Sequence, residues 1–464
     1  MVDGVRVWRD VHVAMLAMCA VVGVWAGWSP WTLAGCVASV VISRVFRRHG
    51  LLIAAAGVLL ALGAGLGERA WSSAEPRSVG PFVGWVTLVS DPAPVGRSVG
   101  MVLEIEGERF QVYAYGSPRR RLGRLHAGEQ VLVDGERVPL RPDDRRSRVR
   151  HVVGRFEVAE VGAVGVGAPI ALASNRLRGR LRESAEASMA ADDAALFTGL
   201  VVGDDVRQSR EVIDRFRAVG LSHLTAVSGQ NVSYVLAMAG VLLKRLRPWW
   251  RLGATWALIA WFVVLTRVEP SVVRAGTMAA IGALAYALGR DRSVPRILAL
   301  AVTALVLVDP LLVWSVGFWL SCGATAGVSV VGPWLAARWR GPAWLALPVS
   351  STVGAQLGVV LPSLLVFQRM PALGIVTNLL AVPVAGFVML VGIPTALMAS
   401  MLPSWCVVPV MAPSMVGTRW VATVAQLAEW AMPVGGWAVV AWLAQVAAAL
   451  WWWRVDREAM MGNP

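Results

Sequence analysis

Charge is scarce in this sequence. Only 16% of its 464 residues are Asp, Glu, Lys or Arg, against about 25% in a soluble globular chain. Lysine is almost missing, with Lys244 the only one among 43 basic residues. Cysteine is confined to Cys19, Cys36, Cys322 and Cys406, all in apolar stretches. No C-x-x-C or Cys/His spacing occurs, which argues against a zinc module or a disulfide scaffold. The five histidines, His12, His49, His126, His151 and His223, are too scattered to suggest a metal site. P-loop, H-E-x-x-H and G-x-S-x-G runs are missing as well. These absences leave no basis for a cofactor, a metal or a catalytic residue, and they exclude an ordinary cytosolic enzyme.

What the chain has instead is apolar sequence. Hydrophobic residues make up 56% of it, and the mean hydropathy is +0.61. That balance predicts a membrane protein with many crossings. The net charge of +14 has two candidate sources: loop charges that orient membrane helices, or a phosphate-bearing partner.

Three apolar segments come first, from about Val11 to Trp28, Trp31 to Phe46 and Leu51 to Leu66. Each is short but adequate for a hydrocarbon core. The first reads as a retained segment, since no A-x-A-like cleavage site precedes the second. Arg6 and Arg9 precede the first segment, and Arg44, Arg47 and Arg48 separate the second from the third. The positive-inside rule then puts the N-terminus in the cytoplasm and whatever follows the third segment outside.

The region from 72 to about 165 differs. It carries 14 arginines against 12 acids, so its charge is nearly balanced. Alternating runs at Phe82–Val89, Ser98–Ile105, Phe110–Tyr115, Gln130–Gly135 and Gly154–Val158 are separated by turn residues, predicting about five strands. That number in so short a region suits a small OB-like barrel. Arg119, Arg120, Arg121 and Arg124, with Arg145, Arg146, Arg148 and Arg150, form two basic clusters. OB folds bind single strands through a basic groove with stacking aromatics, so these arginines with Phe110, Tyr113 and Tyr115 are candidate DNA contacts. Two solvated Arg-rich loops are the plainer reading.

Between 166 and 220 helical periodicity returns, with arginines beside an apolar face, as on an interfacial helix or one packed on the barrel. From Leu221 to Trp453 the chain is almost continuously apolar, with room for about eight or nine more crossings. Prolines 348, 362, 371, 383 and 394 inside these runs suggest broken or re-entrant helices, which occur where protein or water replaces lipid.

Within that half, Gly220-Leu221-Ser222-His223-Leu224-Thr225-Ala226-Val227-Ser228-Gly229-Gln230-Asn231 concentrates polar groups. Such groups inside a membrane are costly and tend to face a cavity, or else join helices by hydrogen bonds. A hydrolase using Ser228 and His223 is disfavoured, because residues five apart point about 140° apart on a helix. Glu269 and Arg274 at a helix start could form a cap and ion pair or line a pore mouth. Asp309-Pro310 with Gly317-Phe318-Trp319-Leu320-Ser321, and Gln356 with Pro362 and Thr377-Asn378-Leu379-Leu380-Ala381-Val382-Pro383, complete the set.

In this order the four runs resemble the ComEC family of competence proteins, the inner channel for transforming DNA. The family's G-L-x-H-L-x-A-x-S-G run corresponds to Gly220–Gly229, P-S-x-x-R-A to Pro270–Ala275, and D-P with G-F-x-L-S to Asp309-Pro310 and Gly317–Ser321. Its Q-L, P and S/T-N-L-L-A-x-P runs correspond to Gln356-Leu357, Pro362 and Thr377–Pro383. The resemblance is close from about 200 to 400 and loose over 72–165.

Two departures qualify what it implies. Many members have Leu-His after the Ser-Gly, where this chain has Gln230-Asn231. No H-x-H-x-D-H follows the last apolar segment, so the expectation is that any nuclease step comes from a separate protein.

The resemblance implies a non-enzymatic channel for single-stranded DNA in the cytoplasmic membrane. His223, Ser228, Gln230, Asn231, Glu269, Arg274, Asp309, Gln356 and Asn378 would line it. Its expected partners are single-stranded DNA, membrane lipid, an external DNA receptor, that nuclease, and a cytoplasmic helicase or single-strand-binding protein. A secondary transporter for a small solute or lipid is the competing reading.

The expected fold is thus a polytopic α-helical membrane protein of about 11–12 transmembrane helices with an inserted extracellular all-β OB-like domain. Its segments would be a three-helix N-terminal part (1–70), the β domain (71–165), amphipathic linker helices (166–220), the channel domain (221–456) and a tail (457–464).

Overall fold

The computed structural model describes residues 2–45, 49–225, 229–339, 341–367 and 373–431, with positions 440 and 444 beyond them. The tail and most of the last apolar segment lie outside the described residues.

Three apolar helices open the chain: α1 (Val2–Ala26), α2 (Pro30–Val45) and α3 (Gly50–Ser72). A sheet follows, made of β1 (Gly80–Leu88), β2 (Ala93–Val95), β3 (Ser98–Ile105), β4 (Glu108–Ala114), β5 (Gln130–Pro139) and β6 (Val152–Gly165). Its connections contain α4 (Gly116–Leu122) and α5 (Arg145–Val149). Helices then run as α6 (Pro169–Glu186), α7 (Ala191–Val202), α8 (Arg210–Ala218), α9 (Ser222–Thr225), α10 (Gly229–Leu243), α11 (Pro248–Leu265), α12 (Pro270–Ala287) and α13 (Val294–Val308). After a 3-10 turn at Pro310–Trp314 come α14 (Val316–Ala326), α15 (Gly332–Ala336), α16 (Ala343–Phe367), α17 (Gly374–Ala399) and α18 (Ser404–Trp430).

Among the described residues five helices are long and apolar enough to cross a membrane: Gly50–Ser72, Pro248–Leu265, Val316–Ala336, Ala343–Val366 and Gly374–Ala399. Four shorter apolar helices accompany them, at Asp10–Ala26, Pro30–Val45, Gly229–Leu243 and Val294–Val308. In lipid a segment must satisfy its own backbone hydrogen bonds, which a helix does alone. The expected breaks at Pro348, Pro362, Pro383 and Pro394 are corrected here, while Pro371 lies outside the described residues. α16 runs unbroken through Pro348 and Pro362, and α17 through Pro383 and Pro394. The irregular backbone lies instead in a π-helical stretch, Gly327–Val331, between α14 and α15.

The chain divides into two compact units, each assembled from two stretches rather than from consecutive segments: residues 1–179 with 239–318, and 180–238 with 319–464. In the first unit α1 packs on α3 and α13, and α2 on α3. Its sheet returns on itself. β1 pairs antiparallel with both β3 and β5, β5 with β6, β3 with β4, and only β4–β6 is parallel. The five expected strands are all present, and β2 adds a short hairpin on β3. Strand alternation sends Val86, Leu88, Leu103, Ile105, Phe110, Val112, Val131, Val133 and Phe156 inward as one core.

In the second unit α7 is buried along most of its length and packs on α17 and α18. α16 crosses the π-helical stretch in backbone contact, since a Cβ on Gly327 would collide with the Gly354 carbonyl oxygen and one on Gly358 with that of Gly323. Small residues at such crossings let membrane helices approach closely.

Candidate functional site

The polar residues of the second unit gather around α7. Asn231, 2% exposed, donates from Nδ2 to the Leu200 carbonyl at 2.7 Å. Gln230 Nε2 lies 2.7 Å from the Tyr234 hydroxyl. Thr377 Oγ1 donates to the Val219 carbonyl at 3.0 Å, which joins the 377–383 run to the start of the 220–231 run. Asn378 donates to the Gly374 carbonyl at 2.6 Å, and its Oδ1 is buried without a donor among the described residues. Buried amides cost free energy unless paired, so this arrangement fixes the local helix register. His223 is exposed on α9 and Gln356 half-buried on α16. Ser228 lies outside the described residues. Gln208 and Tyr234 belong to the same polar set and carry no motif that would have singled them out.

In the first unit Arg274 is buried, with a guanidinium nitrogen 3.2 Å from Met278 Sδ, while Glu269 is exposed at the N-cap of α12. Asp309 accepts the Leu311 amide at 3.1 Å and its other oxygen lies 2.9 Å from His151 Nε2. Asp309 therefore holds the sheet domain to the helical part.

A stronger junction was not visible in the motifs. Asp91, in the β1–β2 connection, receives both prongs of Arg267, which follows α11, at 2.9 Å each. Arg178 of α6 reaches the same carboxylate at 3.5 Å and donates to the Leu265 carbonyl at 3.0 Å. Asn175 accepts from Arg267 at 2.7 Å. Burial alone would raise the Asp91 carboxyl, but the Arg267 and Arg178 guanidiniums outweigh it and hold the group below the usual carboxylate range.

The sheet domain carries the candidate nucleic-acid residues. Arg119, Arg120 and Arg124 line a cleft of about 560 Å³ with Val99, Ser117 and the glycines 116 and 123. Arg121 turns away to the Val161 carbonyl. Arg145 is stacked on Trp71 and Trp314, at 5.0 and 5.7 Å from their ring centres, so it braces α5 against the helices. Arg146 is exposed and Arg148 half-buried on α5. One expectation is corrected: Phe110 is 0% exposed in the sheet core, and a ring without an open face cannot stack on a base. Tyr113 and Tyr115 are exposed and keep that possibility.

Comparison with known proteins fits this distribution. The family model described as "Competence protein" matches residues 200–456. The uncharacterized protein YcaI of Escherichia coli is 25% identical over 208 residues, covering 42% of this chain and 28% of that protein. Competence protein ComA of Neisseria gonorrhoeae is 30% identical over 265 residues, covering 54% of this chain and 37% of that protein. The chain thus spans well under half the length of each relative. No solved structure matches it. The family match takes in the polar set around α10 and α17 and more than half of the chain, and the protein belongs to the ComEC family of competence proteins.

Proposed function

We propose that this chain forms a channel that passes single-stranded DNA across the cytoplasmic membrane during natural transformation. The observation that carries the reading is the arginine-lined cleft on a closed β domain joined to membrane helices. The ring order β1–β3–β4–β6–β5, with its one parallel pair and α4 between β4 and β5, supports an OB-like fold. OB folds hold single strands through a basic groove and stacked bases. Arg119, Arg120 and Arg124 would supply the charge, and Tyr113 and Tyr115 the stacking. In the helical part the exposed Ser222 and His223 and the half-buried Gln230 and Gln356 would line the path, because a bare phosphate chain cannot cross lipid. Asn231, Thr377 and Asn378, expected from the motifs to join them, are instead buried and bonded to backbone carbonyls and would hold the helices behind it.

The reading places the N-terminus in the cytoplasm and the β domain outside. The ends of the first unit support opposite sides for the two, and Arg6, Arg9, Arg44, Arg47 and Arg48 supply the direction through the positive-inside rule. Asp10 meets Ser293 and Arg296 at one end of its helices, and Asp309 meets His151 at the other end of α13. An external DNA receptor and a cytoplasmic helicase or single-strand-binding protein would feed and clear the channel. No covalent step is assigned to the chain. The transporter reading is weaker, because α16 and α17 lack the breaks that would favour it.

The test is uptake of fluorescent DNA by a strain lacking the gene, beside one restored with it. DNA held outside the inner membrane in the first and admitted in the second supports the channel. Equal admission by both sinks it.

A further inference from the structure

α11 and α12 of the first unit each contain 18 residues, about 27 Å of helix at 1.5 Å per residue. That is close to the roughly 30 Å hydrocarbon core of a bilayer. The junction of Asp91 with Arg267 marks one end of α11. The opposite end therefore stands at the headgroup layer of the other leaflet.

At that opposite end a second charge assembly lies outside everything assigned above. The Arg251 guanidinium sits 4.2 Å from the ring centre of Tyr286, near the end of α12. Arg292, in the loop before α13, sits 4.8 Å from the same ring. The ring attracts each cation through its π face but neutralises neither, and two like charges held on one small ring repel. Two acids lie nearby. Asp10 of α1 is taken by Ser293 and Arg296 at the start of α13, and Asp291 is exposed in the loop between Arg290 and Arg292, one carboxylate among three arginines. Trp249 and Trp250 are exposed on the first turn of α11, and Tyr286 is 47% exposed. Two guanidinium forks fit phosphate oxygens, and tryptophan favours the headgroup level of a bilayer.

We infer that Arg251, Tyr286 and Arg292 form a binding site for the phosphate of an anionic phospholipid headgroup, with Trp249 and Trp250 against its glycerol and upper acyl region. Basic pockets between membrane helices recognise anionic headgroups by this chemistry. The position one bilayer thickness from the Asp91 junction favours lipid over nucleic acid as the source of the phosphate. The site does not depend on the channel reading, and its test does not require DNA uptake.

The experiment is native mass spectrometry of the full chain released from nanodiscs of phosphatidylglycerol mixed with phosphatidylcholine of the same acyl chains. The wild-type chain retains phosphatidylglycerol preferentially. Arg251→Gln with Arg292→Gln lowers that retention about tenfold, as expected for loss of charge-assisted contacts. Tyr286→Phe keeps it, and Tyr286→Leu loses it. Arg290→Gln, an exposed charge in the same loop, leaves it unchanged. If the double variant does not fold, Arg292→Gln alone, in an exposed loop position, serves in its place. Equal retention of both lipids overturns the site, as does an Arg290→Gln loss as large as that of Arg292→Gln. Displacement of the lipid by inorganic phosphate would reassign it to a free anion, and displacement by an oligodeoxynucleotide to nucleic acid.

Discussion

Arg267 grips Asp91 with two nitrogens at 2.9 Å each, across 176 positions of sequence. The pair ties the β1–β2 turn to the end of a membrane helix, and Arg178, itself buried, leans on the same carboxylate. Arg267 and Val268 both adopt left-handed backbone, at φ 61° and 58°. Non-glycine residues hold that conformation where surrounding contacts fix it.

Asp91→Asn removes the anion and leaves two guanidiniums facing each other. Breaking a buried ion pair costs about 3 kcal/mol, and the loss is read as a lowered melting temperature of the full chain in detergent. The pH dependence has a definite sign. The folded carboxyl is held below its ordinary value. Its stabilisation is therefore complete above about pH 4 and lost as pH falls through the lowered value. Asp91→Asn removes this acid-linked part of the melting curve. An unchanged acid profile in the variant would show that other groups set it.

Val268→Gly should stabilise the chain by up to about 1 kcal/mol, because Val is exposed there and a left-handed β-branched residue costs about 1–2 kcal/mol. Thermal unfolding beside wild type measures it. A lower melting temperature would mean that the valine side chain contributes more than its backbone costs.

Phe110 and Tyr113 separate stability from strand contact. Phe110→Ala empties the sheet core and should cost about 3–5 kcal/mol. Tyr113→Ala should leave the melting temperature nearly unchanged and weaken single-strand binding by about 1–3 kcal/mol if its ring stacks on a base. Fluorescence anisotropy of a labelled oligonucleotide with the full chain reads the second effect. Unaltered affinity would remove Tyr113 from the binding surface.

Gly327→Ala drives a methyl group into the Gly354 carbonyl. Overpacking of this kind costs about 1–3 kcal/mol. The melting temperature should fall, and serine at the same place should be no better tolerated. A neutral alanine would mean that the two helices can separate without cost.

Much of the sheet was legible because alternation is local. The runs at Ser98–Ile105 and Gln130–Gly135 needed only their own residues to be read as strands. The same alternation held the answer for Phe110. It shares parity with Val112 and Ala114, which face inward, and not with Tyr113, so the two rings cannot share a surface. β2 escaped notice because Pro92 and Pro94 read as a turn. The Asp91 junction was hidden because it depends on a partner 176 positions away, and no local pattern encodes that distance. Prolines 348, 362, 383 and 394 misled for a different reason. Neighbouring helices and local adjustment can absorb a missing amide in a membrane helix. Of the polar residues, the sequence exposed those clustered within ten positions, such as Gln230 and Asn231, and concealed Gln208 and Tyr234.

The sheet domain is fastened to the helical part at more than its two chain ends. It leaves α3 and enters α6 covalently, while Arg267 pins one turn and Asp309 with Trp314 pins the loop around α5. A body held at two points can swivel, but one held at four has no free axis. A filament drawn past this domain would therefore meet a fixed bearing, and a sideways pull on the sheet would be shared among α3, α6, α11 and α13.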